Sequence, residues 1–291
     1  MLRYSISNWI YGDEPLETNF KRLSKFGYDG IELKGEPSEY DVNNVKKLLK
    51  KYNLKVLSIA GMYPWPTTGR DLSNPDPKIR ERAIKYLRDT IDFAVKISAP
   101  LIIVVPSAVG KAKPVENPQD EESWEKSLKQ EWIYSIDSVK KASKFAEVKG
   151  VYLAIEPINR YETFLVNNAQ QAIEYVKEVD SKYVKVHLDT FHMNIEENNI
   201  ADAIKKTGNL LINLHIADSN RQAVGNGHID FKLIIKTLIE INYKGALALE
   251  PLPPLPDPYI AMRVKRFKNL WDKYAKQSIE NLKKYEKELI Y

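Results

Sequence analysis

Hydrophobic residues along this 291-residue chain fall into two alternating kinds of segment. The first is a short, nearly continuous apolar run: Leu2–Ile6, Asp29–Leu33, Lys55–Ala60, Leu101–Val105, Val151–Ile155, Val184–Leu188, Leu211–Ile216 and Ala246–Leu249. Most are bounded by Gly, Pro or Asn, the punctuation expected of strands. Between them, apolar positions recur with helical spacing over Ile79–Ile97, Trp132–Ala146, Asn168–Val179, Ile200–Thr207 and Phe231–Ile241. Strands with few polar positions belong to a parallel sheet covered by helices. Eight βα units in a chain of this length predict an α/β protein of the (β/α)8 barrel type. A doubly wound sheet needs a glycine-rich phosphate turn after its first strand, and Ser5, Ile6, Ser7, Asn8 and Trp9 supply none.

Two stretches exceed the repeating unit, Met62–Pro77 after the third strand and Pro106–Glu122 after the fourth. Both are expected at the rim of a site. After Glu250 the run PLPPLPDPY predicts an extended, stiff segment leading into a helical tail from Ile260 onward. The expected organisation is a single domain over 1–291, with a barrel core over 1–257 and a helical tail over 258–291 that covers the barrel or meets a partner subunit.

Composition removes several function classes. The chain has no cysteine, which excludes disulfides and thiolate sites. Its net charge of +5 is spread over amphipathic faces such as Val45–Tyr52 and Lys140–Lys149, so no stripe for nucleic acid is formed. The start, MLRYSISNWIYGDE, lacks signal-peptide character and no apolar run reaches membrane-spanning length. The expectation is a cytoplasmic protein with no membrane or nucleic-acid partner. Abundant Lys and Glu beside sparse Gln match the bias of thermophile proteins.

Four of the apolar runs carry the candidate chemistry. VYLAIE, VKVHLD, LINLH and ALALE end on Glu156, Asp189, His215 and Glu250, about 30 residues apart, which is the length of one βα unit. In a parallel barrel the carboxyl ends of the strands converge on one face. Singly, each residue reads as a helix cap or a lysine partner; together they describe a metal site. The residues two positions earlier, Ala154, His187, Asn213 and Ala248, share the inward orientation, and three of these are small or short. Three carboxylates and one imidazole suit Mn²⁺, Mg²⁺ or Co²⁺ better than zinc or a thiolate-seeking metal.

All four histidines lie on or just after a late strand: His187, His192, His215 and His228. His215 is the expected ligand, and His192, in the loop after Asp189, is expected to hydrogen-bond the substrate. His187 reads as a buried residue orienting the ligands, and His228 as a residue that orders its loop. Glu32, at the end of the second strand, is expected to orient a ligand or the substrate. Trp9, Tyr63 and Trp65 either stack on a ring or fill the rim. Lys111 and Lys113, in a loop that also holds several Glu, read as solvated, with contact to an acidic or phosphorylated substrate as the alternative.

EPINRYET around Glu156, LDTFHMN around Asp189, LHIADSNR around His215 and ALALEPL at Glu250 resemble the D-tagatose 3-epimerase group of the xylose-isomerase-like sugar isomerase and epimerase barrels. The resemblance covers the second half in order. The first half matches through GIEL at Gly30–Leu33 and DLSNPDPKIRERA at Asp71–Ala83. It implies one divalent metal per chain, most often manganese or cobalt, held by Glu156, Asp189, His215 and Glu250, with Glu162, His192 and Arg221 on the sugar's hydroxyl and carbonyl oxygens. The implied partner is a small-molecule sugar, and homo-oligomers are common in the group. The implied reaction inverts C3 of a ketose through a metal-stabilised cis-enediolate, with Glu156 and Glu250 as the two acid/bases on opposite faces. Aldose–ketose isomerisation and an inosose-type isomerase or dehydratase reaction use the same metal enediolate and remain alternatives. An abasic-site endonuclease of the same fold needs more histidine and a basic DNA-facing surface. The loop PSAVGKAKPVENPQDEESWEK departs from the group, because neither Trp124 nor Trp132 aligns with its aromatic wall.

Overall fold

The computed structural model describes residues 1–63, 65–255, 260, 264 and 267–290. Eight parallel strands run in the order β1, β8, β7, β6, β5, β4, β3, β2. They are β1 Arg3–Ile6, β2 Gly30–Lys34, β3 Lys55–Ala60, β4 Leu101–Val104, β5 Tyr152–Ile155, β6 Val184–Asp189, β7 Leu211–Ile216 and β8 Ala246–Leu249. Each end lies within one residue of the apolar run that predicts it. β1 pairs with β8, Tyr4 opposite Leu247, and the ring closes between β1 and β2 through a bridge from Ser7 to Glu32. The sequence expectation of a (β/α)8 barrel holds.

The outer layer comprises α1 Leu16–Phe26, α2 Val42–Tyr52, α3 Pro77–Ile97, α4 Glu121–Lys149, α5 Ala169–Val179, α6 Thr190–Glu196, α7 Ile200–Thr207, α8 Phe231–Glu240 and α9 Lys268–Ile290. The helices start where short polar side chains cap free amides. Asp76 accepts from the Lys78 amide ahead of Pro77, and Asn168 closes a capping box with Gln171. Buried Leu87, Ile91 and Ala94 give α3 the apolar stripe that seats it on the sheet.

Two departures from the sequence reading have local causes. α4 begins eleven residues before the expected Trp132, because its charged first turns, EESWEKSLKQE, carry no apolar stripe to reveal them. Its start is set instead by Asp120, which accepts from the Ser123 amide. α9 follows β8 and packs between α8 and α1, completing the outer layer. It is fastened by Tyr28 Oη donating to the Ala275 carbonyl at 2.7 Å and by Tyr4 Oη donating to Glu286 at 2.9 Å. The expected boundary at 257/258 lies outside the described residues, as do 256–259 at the end of the Pro-rich stretch. Among the described residues no helix is long and apolar enough to cross a membrane.

Candidate active site

Glu156, Asp189, His215 and Glu250 meet at the carboxyl end of the barrel. Sheet register brings them together: Asp189 lies opposite His215, and His215 opposite Ala248, two residues before Glu250. All four are at least nine-tenths buried. His215 Nδ1 faces Glu250 Oε2 at 3.4 Å, Glu156 Oε1 at 3.7 Å and Asp189 Oδ2 at 4.0 Å. That nitrogen has no hydrogen-bond partner among the described residues.

A buried, unpartnered imidazole nitrogen among three carboxylate oxygens is costly unless something else satisfies it. Ligand atoms sharing one cation at about 2.0–2.2 Å from it lie about 3–4 Å from one another, which is the spacing seen. The donor set, three oxygens and one nitrogen, therefore fits a divalent cation. The residues beneath it are polar as well. His215 Nε2 lies 2.9 Å from Glu32 Oε1, and Ser58 donates to the other Glu32 oxygen at 2.5 Å. His187, fully buried, meets Asn213 at 3.2 Å through Nδ1 and faces Glu156 Oε1 at 3.6 Å through Nε2. The orienting roles read from sequence for Glu32 and His187 thus have contacts to match.

Protonation in the cluster reflects crowded charge. Burial opposes the ionised form of Glu156, but His187 and His215 outweigh it and hold the carboxyl well below its ordinary value. Burial likewise opposes a charged His215, yet Glu250 and Glu32 raise its pKa well above the usual imidazole range. Burial pushes Glu250 up to about 7, His215 and Arg221 opposing the rise while Glu32 and Asp189 add to it. His187 is lowered by burial and by His215. One imidazolium cannot balance four facing carboxylates, so a dication relieves the whole cluster.

A pocket opens above the cluster, with about 600 Å³ of empty space including the open solvent at its mouth. Glu156, Glu250, His192, His215 and Arg221 form its polar side, and Trp9, Tyr63, Trp65, Val105, Val109 and Ile158 its apolar wall. The aromatic wall missing from the loop after β4 is thus supplied by the segments after β1 and β3. Trp132 instead packs on Tyr175 in the outer layer, ring centres 5.2 Å apart.

His192 is not in a loop as expected but in α6, because Asp189 caps that helix by accepting from the Phe191 amide at 2.8 Å. Its Nδ1 lies 2.8 Å from the Asn159 amide nitrogen, and Nε2 faces Asp189 at 3.5 Å. Glu162 does not line the pocket; its Oε1 accepts from Asn159 at 2.9 Å, so it sits behind the residue that holds His192. Arg221 adopts φ +59° in a loop tied by Asp218, whose carboxylate accepts from the Ser219, Gly225 and Ile229 amides. Its guanidinium lies 3.5 Å from Glu250 and 4.6 Å from the Phe191 ring centre. Trp9 donates its indole N–H to the other Glu250 oxygen. His228 meets Ser219 Oγ at 3.0 Å, ordering this loop as expected.

Lys111 overturns its expected solvated role. It is 14% exposed and its Nζ lies 3.0 Å from Asp71 and 2.9 Å from Glu131, both buried carboxylates. It staples the two rim loops to α4 and has no ammonium to spare for a substrate anion. Asp71, Glu131, Asn159 and Asp218 were missed in the sequence, although DLSNPDP and ADSN carry the Asx-turn residues that mark tied loops.

A family model described as xylose isomerase-like TIM barrel matches residues 20–285. The chain is 32% identical to a D-psicose 3-epimerase of Ruminiclostridium cellulolyticum over 84% of this chain and 82% of that protein. It is 29% identical to an L-ribulose 3-epimerase of a Methylomonas species over 89% of this chain and 88% of the other. Among solved structures, D-psicose 3-epimerase with D-tagatose from Clostridium cellulolyticum H10 matches with a TM-score of 0.84 at 27% identity, covering 98% of this chain and 99% of that one.

Proposed function

This chain belongs to the xylose isomerase-like TIM barrel family, and from that premise we propose that it is a divalent-metal-dependent ketose 3-epimerase. The observation that carries the reading is the unpartnered Nδ1 of His215 facing three carboxylate oxygens at 3.4–4.0 Å at the floor of a pocket. Its relatives named as psicose and ribulose 3-epimerases support the sugar class.

Glu156, Asp189, His215 and Glu250 would hold the cation, with Mn²⁺ the best match to the donor set and Co²⁺ or Mg²⁺ next. When bound, the ion offsets negative charge that develops on the sugar's carbonyl and neighbouring hydroxyl oxygens. Every other step belongs to side chains. The C3 proton is weakly acidic, and a glutamate on one face removes it to leave an enediolate; the second glutamate returns a proton to the opposite face, inverting the carbon. Glu156 and Glu250 take these roles because both line the pocket. The Trp9 indole N–H fixes one oxygen of Glu250. Arg221, fanned over Phe191, donates to sugar oxygens with a planar geometry that lysine lacks. His192, held by Asn159, orients a hydroxyl, and the apolar wall excludes water from the enediolate.

The test is NMR of fructose, psicose, tagatose and ribulose in heavy water, using metal-stripped protein with and without Mn²⁺. Metal-dependent deuterium at C3 together with a new epimer is the expected result. Deuterium at C1 or C2 with an aldose product would replace the epimerase reading with an isomerase.

A further inference from the structure

The contact between Glu32 and His215 does something the ligand set cannot do for itself. β2 and β7 are not neighbours in the sheet, so a hydrogen bond between their side chains crosses the barrel interior. Glu32 is fully buried, and its backbone bridges to Ser7 at the closure of the ring. One carboxylate oxygen receives the Ser58 hydroxyl at 2.5 Å, leaving the other aimed at His215 Nε2 at 2.9 Å.

A neutral imidazole carries one proton, on either nitrogen. Around Nδ1 the three carboxylate oxygens attract that proton. Were it to settle there, the cluster would satisfy itself and no lone pair would be left for a cation. Nε2 needs an acceptor strong enough to win this contest. A carboxylate held rigidly by Ser58 is such an acceptor, whereas a hydroxyl or amide carbonyl in its place competes poorly against three anions.

We propose that Glu32 is a positioning residue that holds a proton on Nε2 of His215, so that Nδ1 is the nitrogen whose lone pair is given to a divalent cation. The proposal rests on the metal-site reading above. It gives Glu32 a role distinct from that of a fifth ligand, since its oxygen contacts Nε2 of the imidazole whereas the other three carboxylates face Nδ1.

Calorimetric titration of Mn²⁺ into the metal-free protein tests it, together with NMR of ¹⁵N-histidine in the Zn²⁺-loaded protein, zinc serving as a diamagnetic probe. The wild type should show an exchange-protected Nε2–H on His215. Glu32→Leu should lose that protection and weaken Mn²⁺ binding by roughly 10–100-fold, as loss of an outer partner of a ligating histidine generally does. Glu32→Gln, whose amide oxygen is the weaker acceptor, should show only partial protection of the Nε2–H and bind Mn²⁺ with an intermediate affinity. Unchanged affinity in Glu32→Leu overturns the proposal. So does weakened affinity with the Nε2–H still protected, which would make Glu32 a direct ligand. If the Leu variant does not fold, the Gln variant decides, and wild-type affinity there overturns the proposal. A wild type that takes up no Mn²⁺ would remove the metal reading itself, a separate failure.

Discussion

Replacing Lys111 with methionine isolates the staple that sets the pocket wall. The ammonium lies about 3 Å from each of two buried carboxylates. At an effective dielectric of about 20, each contact is worth about 5 kcal/mol before the cost of removing the three charges from water. That cost cancels much of the attraction, and deleting one partner of a buried ion pair typically destabilises by about 3–5 kcal/mol. Here the lower figure applies, because both carboxylates keep neutral donors. Asp71 retains the Ser73 and Ala108 amides, and Glu131 retains the Val115 amide. Methionine keeps the apolar stem beside Phe164. A loss of about 3 kcal/mol corresponds to a fall in Tm of about 6–12 °C. Thermal unfolding followed by circular dichroism measures it. Lys111→Met combined with Glu131→Gln should recover part of the loss, since one of the stranded charges is gone. Because Lys111 ties the loops that carry Trp65 and Val109, KM for the sugar should rise more than kcat falls. A Tm within about 2 °C of wild type, or double-variant losses that simply add, would refute the reasoning.

The acid/base assignment predicts that Glu156→Gln and Glu250→Gln each lower kcat by about 10²–10⁴-fold while circular dichroism reports an intact fold; near-normal turnover of either would remove that residue from the reaction. His215→Ala should chiefly weaken Mn²⁺ binding, so calorimetry giving the wild-type affinity would take it off the ligand list. Arg221→Lys should raise KM by roughly tenfold, since lysine neither forks to two oxygens nor spreads over Phe191; an unchanged KM would place the guanidinium outside the substrate contacts. Chelation followed by Mn²⁺ addition should abolish and then restore turnover, and activity surviving exhaustive chelation would contradict a metal-dependent reaction.

The barrel was legible because each strand is an uninterrupted apolar run, a signal written locally. The four clustered residues were legible for the same reason, each being the last residue of its run. What stayed hidden depends on distance through space. Glu32 and His215 are 183 residues apart, and no local spacing announces that a glutamate of β2 crosses the ring to an imidazole of β7. Lys111 looked solvated because its neighbours in sequence are polar, yet its true neighbours, Asp71 and Glu131, come from another loop and a helix. His192 looked like a loop residue because α6 is only seven residues long and is capped by the very Asp189 that reads as a strand-end ligand.

The uneven legibility of the two halves has a structural origin. Glu156, Asp189, His215 and Glu250 come from the ends of β5 to β8, consecutive strands whose register fixes one side chain against the next. On the metal-site reading proposed above, such a group must meet a cation to within a few tenths of an ångström, and that need for rigidity keeps its motif at strand ends as a compact pattern. The facing wall is built from segments after β1, β3 and β4, through Trp9, Tyr63, Trp65 and Val109. A wall need only be apolar and of the right shape, which many sequences satisfy, and stapled loops such as the one held by Lys111 can set it from a distance. Most of the apolar wall therefore comes from the half of the ring facing the ends of β5 to β8, while His192, Arg221 and Ile158 line the pocket from the same side as the four clustered residues. Substitutions of Tyr63, Trp65 or Val109 should alter which sugar is accepted while leaving Mn²⁺ affinity unchanged, whereas substitutions of Trp9, which holds Glu250, or at the ends of β5 to β8 should alter the two together.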